Sequence, residues 1–270
     1  MGLTVKALHI GDILMDWSFL LFAYKPGRKT CIPINSFLIQ GAGAPILVDT
    51  GVLDASIFER WGFGEIGFVE PEQDLVKQLG EEGLEPGDIG YVIHTHLHID
   101  HTGNTPKFPN ARVVVQRSEM AFEASYGFQA SPDLPWFVCN FRRLELLDGD
   151  TELFTGVKCV LAPGHCGGHQ HVEVQTDRGK MIMAGDTVYD IPMQLEDKVG
   201  PDVIWPSGNV INQPMLMDAL YRLKAEKKKG SLILPSHCYE PFDLYKLGQR
   251  RSDKKRNYEG FPDMQWPPVV

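Results

Sequence analysis

Four potential metal ligands lie within six residues of this chain. The segment His96-Leu97-His98-Ile99-Asp100-His101 has the pattern H-x-H-x-D-H and follows a short apolar run. Imidazole nitrogens suit zinc and neighbouring divalent metals, and a carboxylate adds an oxygen donor. Later segments supply further donors at His165, Asp186 and His237. Together these residues are enough to hold two metal ions that share one carboxylate.

The six-residue string cannot direct all four of its donor side chains at a single ion. His96 and His98 alternate along the chain, so we expect them to point to one ion together. Asp100 and His101 can then turn to a second ion about 4 Å away, which is the spacing of two-metal sites. The string therefore predicts a binuclear centre rather than one isolated ion.

Three later residues complete the predicted ligand sets. His165 would complete the first set, His237 would complete the second, and Asp186 would bridge the two ions with its two oxygens. A solvent molecule between the ions would be deprotonated near neutral pH and would become a nucleophile. The predicted chemistry is therefore hydrolysis.

Other histidines and cysteines near these ligands have simpler explanations. His169 is expected to support the site or the fold, and His94 and His171 are expected to pack or to form hydrogen bonds on strands. A lone histidine more often does this than binds metal, but a whole cluster of histidine and aspartate is hard to bury without a cation. Cys166 and Cys238 each follow a predicted ligand. A Cys–His nucleophile there is disfavoured because metal would already occupy the histidine.

Turn residues divide the chain into short apolar segments with strand or helix patterns. Strands are predicted at residues 5–10, 18–24, 34–40, 46–48, 91–93, 112–116, 144–147, 152–154, 157–161, 171–175, 181–183 and 232–234. Helices are predicted at residues 71–82, 117–125 and 215–229. Every predicted ligand follows a strand closely, and loops at strand ends are where sites are usually built.

This order of elements predicts an α/β fold in which two mixed β-sheets pack face to face with helices outside. We expect one domain over residues 1–250, followed by a surface tail over residues 251–270 that is polar and then proline-rich. A hydrophobic fraction of 43% is ample for a substantial core.

Composition and charge exclude several classes of partner. The net charge of −9 and the pI near 5.5 argue against nucleic acid, because phosphate binding needs a basic face. The longest apolar run near the start has eight residues, against roughly 20 needed to cross a bilayer. Charged residues also interrupt any signal-peptide core, and the five cysteines form no C-x-x-C pair and are expected to be reduced. The prediction is a cytoplasmic protein without a membrane or nucleic-acid partner.

The ordered set of motifs resembles the metallo-β-lactamase superfamily. The matching segments are Leu47-Val48-Asp49-Thr50-Gly51, His96 to His101, Pro163-Gly164-His165, Gly185-Asp186-Thr187 and Ser236-His237. The resemblance implies an αββα sandwich with a binuclear zinc site, in which iron, manganese or cobalt could replace zinc. It assigns His96, His98 and His165 to one ion. It assigns Asp100, His101 and His237 to the other, with Asp186 as the bridge. By the same resemblance, Asp49 braces the ligand loop.

Within that superfamily the chain is most similar to the N-acyl-homoserine lactonases. They carry a tyrosine three residues after the bridging aspartate, as Tyr189 follows Asp186 here. The resemblance implies that this phenol donates to the substrate carbonyl or to the developing oxyanion. The chain departs from them at Ile99, where they often have phenylalanine, and at Cys166-Gly167, where they have serine or threonine before proline. Residues 61–69 and 128–141 match no segment of these enzymes. Substrate-contacting loops would be expected at these positions, so the sequence supports a lactone better than it supports a homoserine head group.

The predicted function is therefore zinc-dependent opening of a lactone, with an N-acyl-homoserine lactone as the small-molecule substrate. Asp100 is expected to hand a proton to the leaving alkoxide. The main alternative is a glyoxalase-II-like thioesterase or a phosphodiester hydrolase on the same centre, although only about 30 residues follow His237, too few for the helical region such thioesterases add. A metal-binding scaffold without turnover is disfavoured because no ligand is missing. A homodimer is left open.

Overall fold

The computed structural model describes residues 2–56, 67–126, 143–200 and 202–252. The strands are β1 (Thr4–Asp16), β2 (Lys29–Gln40), β3 (Ile46–Val48), β4 (Gly67–Phe68), β5 (Tyr91–Ile93), β6 (Arg112–Gln116), β7 (Leu144–Leu147), β8 (Thr151–Phe154), β9 (Val157–Leu161), β10 (Gln170–Thr176), β11 (Gly179–Gly185) and β12 (Leu232–Pro235). The α-helices are α1 (Trp17–Leu20), α2 (Leu75–Glu81), α3 (Ile99–Thr102), α4 (Arg117–Tyr126), α5 (Ile191–Gln194), α6 (Gln213–Lys228) and α7 (Glu240–Asp243). Short 3₁₀ turns occupy Pro71–Gln73, Pro86–Asp88 and Thr105–Lys107.

Two mixed sheets form the centre of the protein. The first has seven strands in the order β4-β1-β2-β3-β5-β6-β7, and its pairings are antiparallel as far as β3 and parallel from β3 to β7. The second has five strands in the order β12-β11-β10-β9-β8, and only β11 and β12 pair in parallel. These sheets confirm the prediction of two mixed sheets.

The buried side chains sort into layers that follow from strand periodicity. One core cluster joins the facing sides of the two sheets and includes Phe37 and Ile39 from β2 and Val172 and Val174 from β10. Alternate residues on each strand point to opposite faces, so the outer faces also carry apolar side chains that need cover. Helix α2 covers the outer face of the first sheet, and α6 covers that of the second. The layers are therefore helix, sheet, sheet and helix.

The predicted strand at residues 18–24 is wrong. Asp16 caps a short helix instead, since its carboxylate accepts hydrogen bonds from the backbone N–H of Ser18 at 2.8 Å and from that of Gly27 at 2.7 Å. Trp17 and Leu20, three residues apart, are both buried, as helical spacing allows. A short apolar run fits either periodicity, and here the capping aspartate decides for helix.

The predicted helix at residues 71–82 is divided in two. Pro71 begins a 3₁₀ turn, and Asp74 then caps α2 by accepting from the backbone N–H of Lys77 at 2.8 Å. The sequence pattern located the helix but missed the internal cap. A proline start and an aspartate three residues later are two successive helix-start signals.

The start of the proposed tail packs against the body of the protein. The backbone N–H of Arg251 donates to Nδ1 of the buried His9 at 3.0 Å, and the Ser252 hydroxyl donates to Asp12 at 2.7 Å. The rest of the proposed tail lies outside the described residues. The same is true of the loop at 128–141 and of most of the loop at 61–69, from which only the two-residue β4 and its neighbour are described.

No helix in the described ranges is both long and apolar enough to cross a membrane. The four described cysteines, Cys31, Cys159, Cys166 and Cys238, are buried free thiols. That agrees with the prediction of reduced cysteines.

Candidate metal centre

The predicted ligands converge on one edge of the sandwich. The residues His94–His98 leave β5 and lead into α3, whose first turn carries Asp100 and His101. His165 lies after β9, Asp186 directly after β11, and His237 directly after β12. Parallel pairing aligns the carboxyl ends of β11 and β12, and the Ser236 N–H donates to the Gly185 carbonyl at 3.2 Å. The sheet topology therefore brings side chains from distant parts of the chain together.

The first ligand set is closely packed. Nε2 of His165 lies 3.2 Å from Nε2 of His96 and 3.1 Å from Nδ1 of His98. Burial lowers the pKa of His96 and of His98 well below the ordinary value, so both rings are neutral near neutral pH. Three imidazole nitrogens that face one point form a typical site for a borderline divalent ion.

The second set is built from α3 and the loop after β12. Oδ2 of Asp100 lies 3.4 Å from Nε2 of His237 and 3.9 Å from Nε2 of His101. The Asp100 side chain is 17% exposed, whereas those of the two histidines are buried. This set therefore opens to solvent on the side of Asp100.

Asp186 lies between the two sets and faces each with a different oxygen. Oδ1 is 3.2 Å from Nε2 of His101 and 3.3 Å from Nε2 of His237. Oδ2 is 3.5 Å from Nε2 of His165. This is the arrangement expected of a carboxylate that bridges two ions.

The donors fit two divalent cations. Nε2 of His101 and Oδ1 of Asp186 are buried and have no hydrogen-bond partner among the described residues. Burial raises the pKa of Asp186, but the facing histidines lower it more, so the carboxylate is charged. Burial lowers the pKa of His101, but Asp186, Asp100 and Asp49 together raise it well above the ordinary value. In the metal-free protein these carboxylates draw a proton onto His101, and two metal ions would supply the positive charge in place of that proton.

The outer nitrogens of three candidate ligand histidines, His101, His165 and His237, are held by oxygen acceptors. Nδ1 of His165 donates to the Asn209 carbonyl at 2.9 Å, and Nδ1 of His237 donates to the Pro33 carbonyl at 2.8 Å. Nδ1 of His101 donates to Asp49 at 2.9 Å. A neutral imidazole ring that donates with one nitrogen leaves the other nitrogen unprotonated. These hydrogen bonds therefore prepare each Nε2 to bind a metal ion.

Comparison with known proteins identifies the family. Residues 30–237 match the model of the metallo-beta-lactamase superfamily. The chain belongs to the metallo-β-lactamase superfamily. It is 31% identical over 243 residues to the N-acyl homoserine lactonase AiiA of Bacillus thuringiensis subsp. kurstaki, which covers 86% of this chain and 92% of that protein. It is also 31% identical over 221 residues to the N-acyl homoserine lactonase AttM of Agrobacterium fabrum, which covers 75% and 81%.

Solved structures agree with the family and the fold. An N-acyl homoserine lactone hydrolase, with the product N-hexanoyl-L-homoserine bound at its catalytic metal centre, superposes with a TM-score of 0.73 and 26% sequence identity. The superposition covers 89% of this chain and 95% of that one. The metallo-β-lactamase fold predicted from the motifs is therefore confirmed.

Asp49 ties the ligand loop to the first sheet of this metallo-β-lactamase fold. Its carboxylate accepts from the backbone N–H of Thr95 at 2.8 Å, from the Thr95 hydroxyl at 2.7 Å and from His101. Burial raises its pKa, but His101 and His94 outweigh burial and leave it at about 2. Its backbone has a φ of 57°, a strained conformation for a residue with a side chain. These contacts match the bracing role that the resemblance implies for Asp49.

We expect Asp49→Asn to weaken metal binding about 10–100-fold, because an amide cannot accept three hydrogen bonds as a charged carboxylate does. The measurement is a chelator competition on the folded variant. Asp54→Asn is the matched control, since Asp54 is exposed and its carboxylate accepts from its neighbour Ser56 in the part of the chain that the structure describes. Equal metal affinity in the two variants would contradict the bracing role.

Tyr189 lies against Asp186, the residue predicted to bridge the two ions. Its hydroxyl donates to Oδ2 of Asp186 at 2.8 Å, and its ring stacks on His237 with a centroid distance of 5.8 Å. Burial, together with the neighbouring Asp186, raises the pKa of the phenol well above the ordinary value. The structure thus places a protonated donor between the two ligand sets, at the position predicted from the sequence.

The three additional histidines contact the site or its strands without completing either ligand set. His169 accepts from the backbone N–H of Asp186 at 3.1 Å, and a Cβ at Gly185 would lie only 2.3 Å from its Nε2. Glycine before the bridge therefore makes room for this ring. His94 bonds to Thr105, and His171 bonds to Thr187. These contacts agree with the supporting roles predicted for the three.

Glu119 is a supporting residue that sequence reasoning missed. One carboxylate oxygen accepts from the backbone N–H of Leu97 at 3.1 Å, and the other accepts from that of Gly168 at 2.7 Å. The side chain thereby joins the first histidine loop to the loop of His165. A glutamate in the first turn of α4 is usually solvated, so only its position directly after β6 could have signalled this role.

Proposed function

We propose that this protein is a metal-dependent hydrolase that opens the ring of a lactone, with N-acyl homoserine lactones as its substrate class. The observation that carries the proposal is the position of Asp186 between two ligand sets, with the Tyr189 phenol against it. Supporting it, AiiA and AttM are both named N-acyl homoserine lactonases. A second support is the solved relative that holds an acyl-homoserine product at its catalytic metal centre.

The proposed ligand sets are those predicted from the sequence. His96, His98 and His165 would hold one ion. Asp100, His101 and His237 would hold the other, and Asp186 would bridge the two. Two bound divalent ions, zinc in our proposal, would supply Lewis acidity and a solvent-derived nucleophile at neutral pH. The protein's own contribution is to fix the donors, which it does through the hydrogen bonds on their outer atoms.

Tyr189 and Asp100 are proposed to handle charge and protons during ring opening. The Tyr189 hydroxyl remains protonated and can donate to the oxygen of the ester carbonyl as negative charge develops there. Asp100 borders the solvent-exposed side of the second set, where a leaving alkoxide can depart. The Asp100 carboxylate can take the proton that remains on the attacking solvent oxygen and pass it to the alkoxide, which leaves as the alcohol.

An apolar rim beside the centre supports an acyl substituent on the lactone. Phe19 is 40% exposed and Phe22 is 60% exposed, whereas the neighbouring Trp17 is buried in the core. The Gly208 N–H donates to the Leu20 carbonyl at 3.1 Å, and the next residue, Asn209, accepts from the ligand His165. The segment that carries Phe19 and Phe22 is thus hydrogen-bonded through its backbone to the segment that positions His165.

A substrate panel tests the proposal against its alternatives. The metal-loaded protein is assayed with acyl-homoserine lactones of increasing chain length, a simple γ-lactone, a thioester and a phosphodiester. Full burial of a methylene contributes about 0.8 kcal/mol, and we expect about half of that on a partly exposed rim. Four added methylenes should therefore raise kcat/KM roughly tenfold, and Phe22→Ala should flatten this dependence.

Tyr221→Ala is the matched control, because Tyr221 is an aromatic residue 51% exposed on α6. It should leave the chain-length dependence intact. Good turnover of the bare γ-lactone with a flat acyl series would indicate a different lactone. Fast thioester or phosphodiester cleavage without lactone turnover would contradict the proposal.

A further inference from the structure

A second cluster of metal-type donors lies behind the candidate metal centre. Glu119 and Glu123 are one turn apart on α4, and Cys166 follows the ligand His165. One donor atom from each lies within 4.8 Å of the others. The three residues are 0%, 3% and 1% exposed respectively. They form a closed pocket of two carboxyl groups and one thiol, which we call the Glu-Glu-Cys pocket.

Glu123 is the residue that the fold leaves unexplained. Both of its carboxyl oxygens are buried, and neither has a hydrogen-bond partner among the described residues. Glu119 differs, since its two oxygens accept from the backbone N–H groups of Leu97 and Gly168. A buried carboxyl group without a partner costs several kcal/mol in general, so its occurrence needs a compensating group.

The pKa values of the two glutamates indicate the charge of the group that would compensate for their burial. Burial raises the pKa of Glu119 to about 7. Burial and the neighbouring Glu119 raise that of Glu123 to about 8. Burial is the main cause of both shifts, and a cation held between the two carboxyl groups would offset it.

We propose that the Glu-Glu-Cys pocket is a third cation site, separate from the two ligand sets of the candidate metal centre. The donor set of one sulfur and two carboxylates suits a borderline divalent ion such as Zn²⁺ or Co²⁺. Calcium and magnesium are disfavoured because they require more oxygen ligands and do not favour thiolate.

The pocket shares a wall with the candidate metal centre. Nδ1 of His98 faces His165 in the first ligand set, and Nε2 of the same ring lies 3.4 Å from Sγ of Cys166. The outer nitrogens of His101, His165 and His237 meet oxygen acceptors, whereas that of His98 meets this thiol. A cation in the pocket would fix the sulfur and, through Glu119, both ligand loops. Its role would be to stabilise the catalytic centre rather than to react.

Cobalt titration of the full-length, metal-stripped protein tests the proposal by two readouts that are independent of lactone turnover. A thiolate-to-cobalt charge-transfer band reports on a cysteine ligand. Because a donor atom of Cys166 also lies within 4.8 Å of donor atoms of His96, His98 and His165, the band supports the pocket only when it appears with a third equivalent of metal. We expect three equivalents of Co²⁺ to bind and the band to appear with the third. Cys166→Ser should abolish the band, whereas Cys238→Ser, which changes the thiol after His237, should retain it.

Glu123→Gln provides a second variant of nearly the same shape. Loss of a residue that only holds a metal ligand in place weakens metal affinity about 10–100-fold. Loss of a direct ligand should therefore weaken the binding of one equivalent of Co²⁺ at least that much and leave two equivalents tightly bound. Two equivalents in the wild type, with or without a thiolate band, would overturn the proposal, since a band with only two equivalents would place Cys166 in the first ligand set. So would a band that survives Cys166→Ser, or three unchanged equivalents in Glu123→Gln.

Discussion

Asp186→Ala should remove metal from both halves of the candidate centre and lower lactone turnover by more than about 10³-fold. The reason is that Asp186 faces one ligand set with Oδ1 and the other with Oδ2. Loss of a single oxyanion donor typically costs 10²–10³ in kcat, and loss of both ions should cost more. The measurement is elemental analysis of the desalted protein, followed by kcat with a lactone.

His237→Ala is the informative comparison for this prediction. His237 lies 3.3 Å from Oδ1 of Asp186 and touches only the second set, so its loss should release one ion and retain the other. The difference between the two variants isolates the bridging role from a general loss of ligands. Asp186→Ala protein that keeps one tightly held ion and full activity would rule out the binuclear centre.

The convergence of the seven proposed ligands could be predicted from the sequence because the chemistry of the first string is local. Histidine and aspartate at fixed short spacing after a strand limit how the side chains can point, as in His96 and His98. The two sheets were predictable for a similar reason, since β-branched runs between turn residues repeat along the chain. The pairing of β11 with β12, which brings Asp186 near His237, was not predicted, because these strands are about 50 residues apart and no local pattern marks their pairing.

The supporting contacts could not be predicted because they depend on backbone atoms far away in sequence. The carbonyl of Asn209 holds His165 across 44 residues, and that of Pro33 holds His237 across 204. Any residue type offers a carbonyl, so no side chain marks these positions. The burial of Glu119 and Glu123 could not be predicted for the opposite reason. A glutamate on a short helix predicts a solvated face, whereas both side chains are buried here.

Tyr189→Phe should retain the fold and both metals but lower kcat for lactones by about 10²–10³-fold, the usual cost of one oxyanion donor. The Tyr189 hydroxyl donates to Asp186 at 2.8 Å, and its raised pKa keeps it a donor at neutral pH. If the phenol acted only by holding Asp186, its loss would change metal affinity instead of kcat. Metal content and kcat are therefore measured on the same preparation.

Tyr239→Phe is the matched control for that measurement. Its hydroxyl also donates to a buried carboxylate, Asp12, at 2.7 Å, but this pair belongs to the network that anchors Arg251 and Ser252. Its loss should lower the free energy of unfolding by about 1–2 kcal/mol and leave kcat within a few-fold, because no ligand of the candidate centre belongs to that network. Equal kcat values in Tyr189→Phe and the wild type, with both metals bound, would reduce Tyr189 to a packing residue. A fall in kcat that follows the loss of metal would make it a support for Asp186. A fall with both metals in place would make it the residue that stabilises the oxyanion.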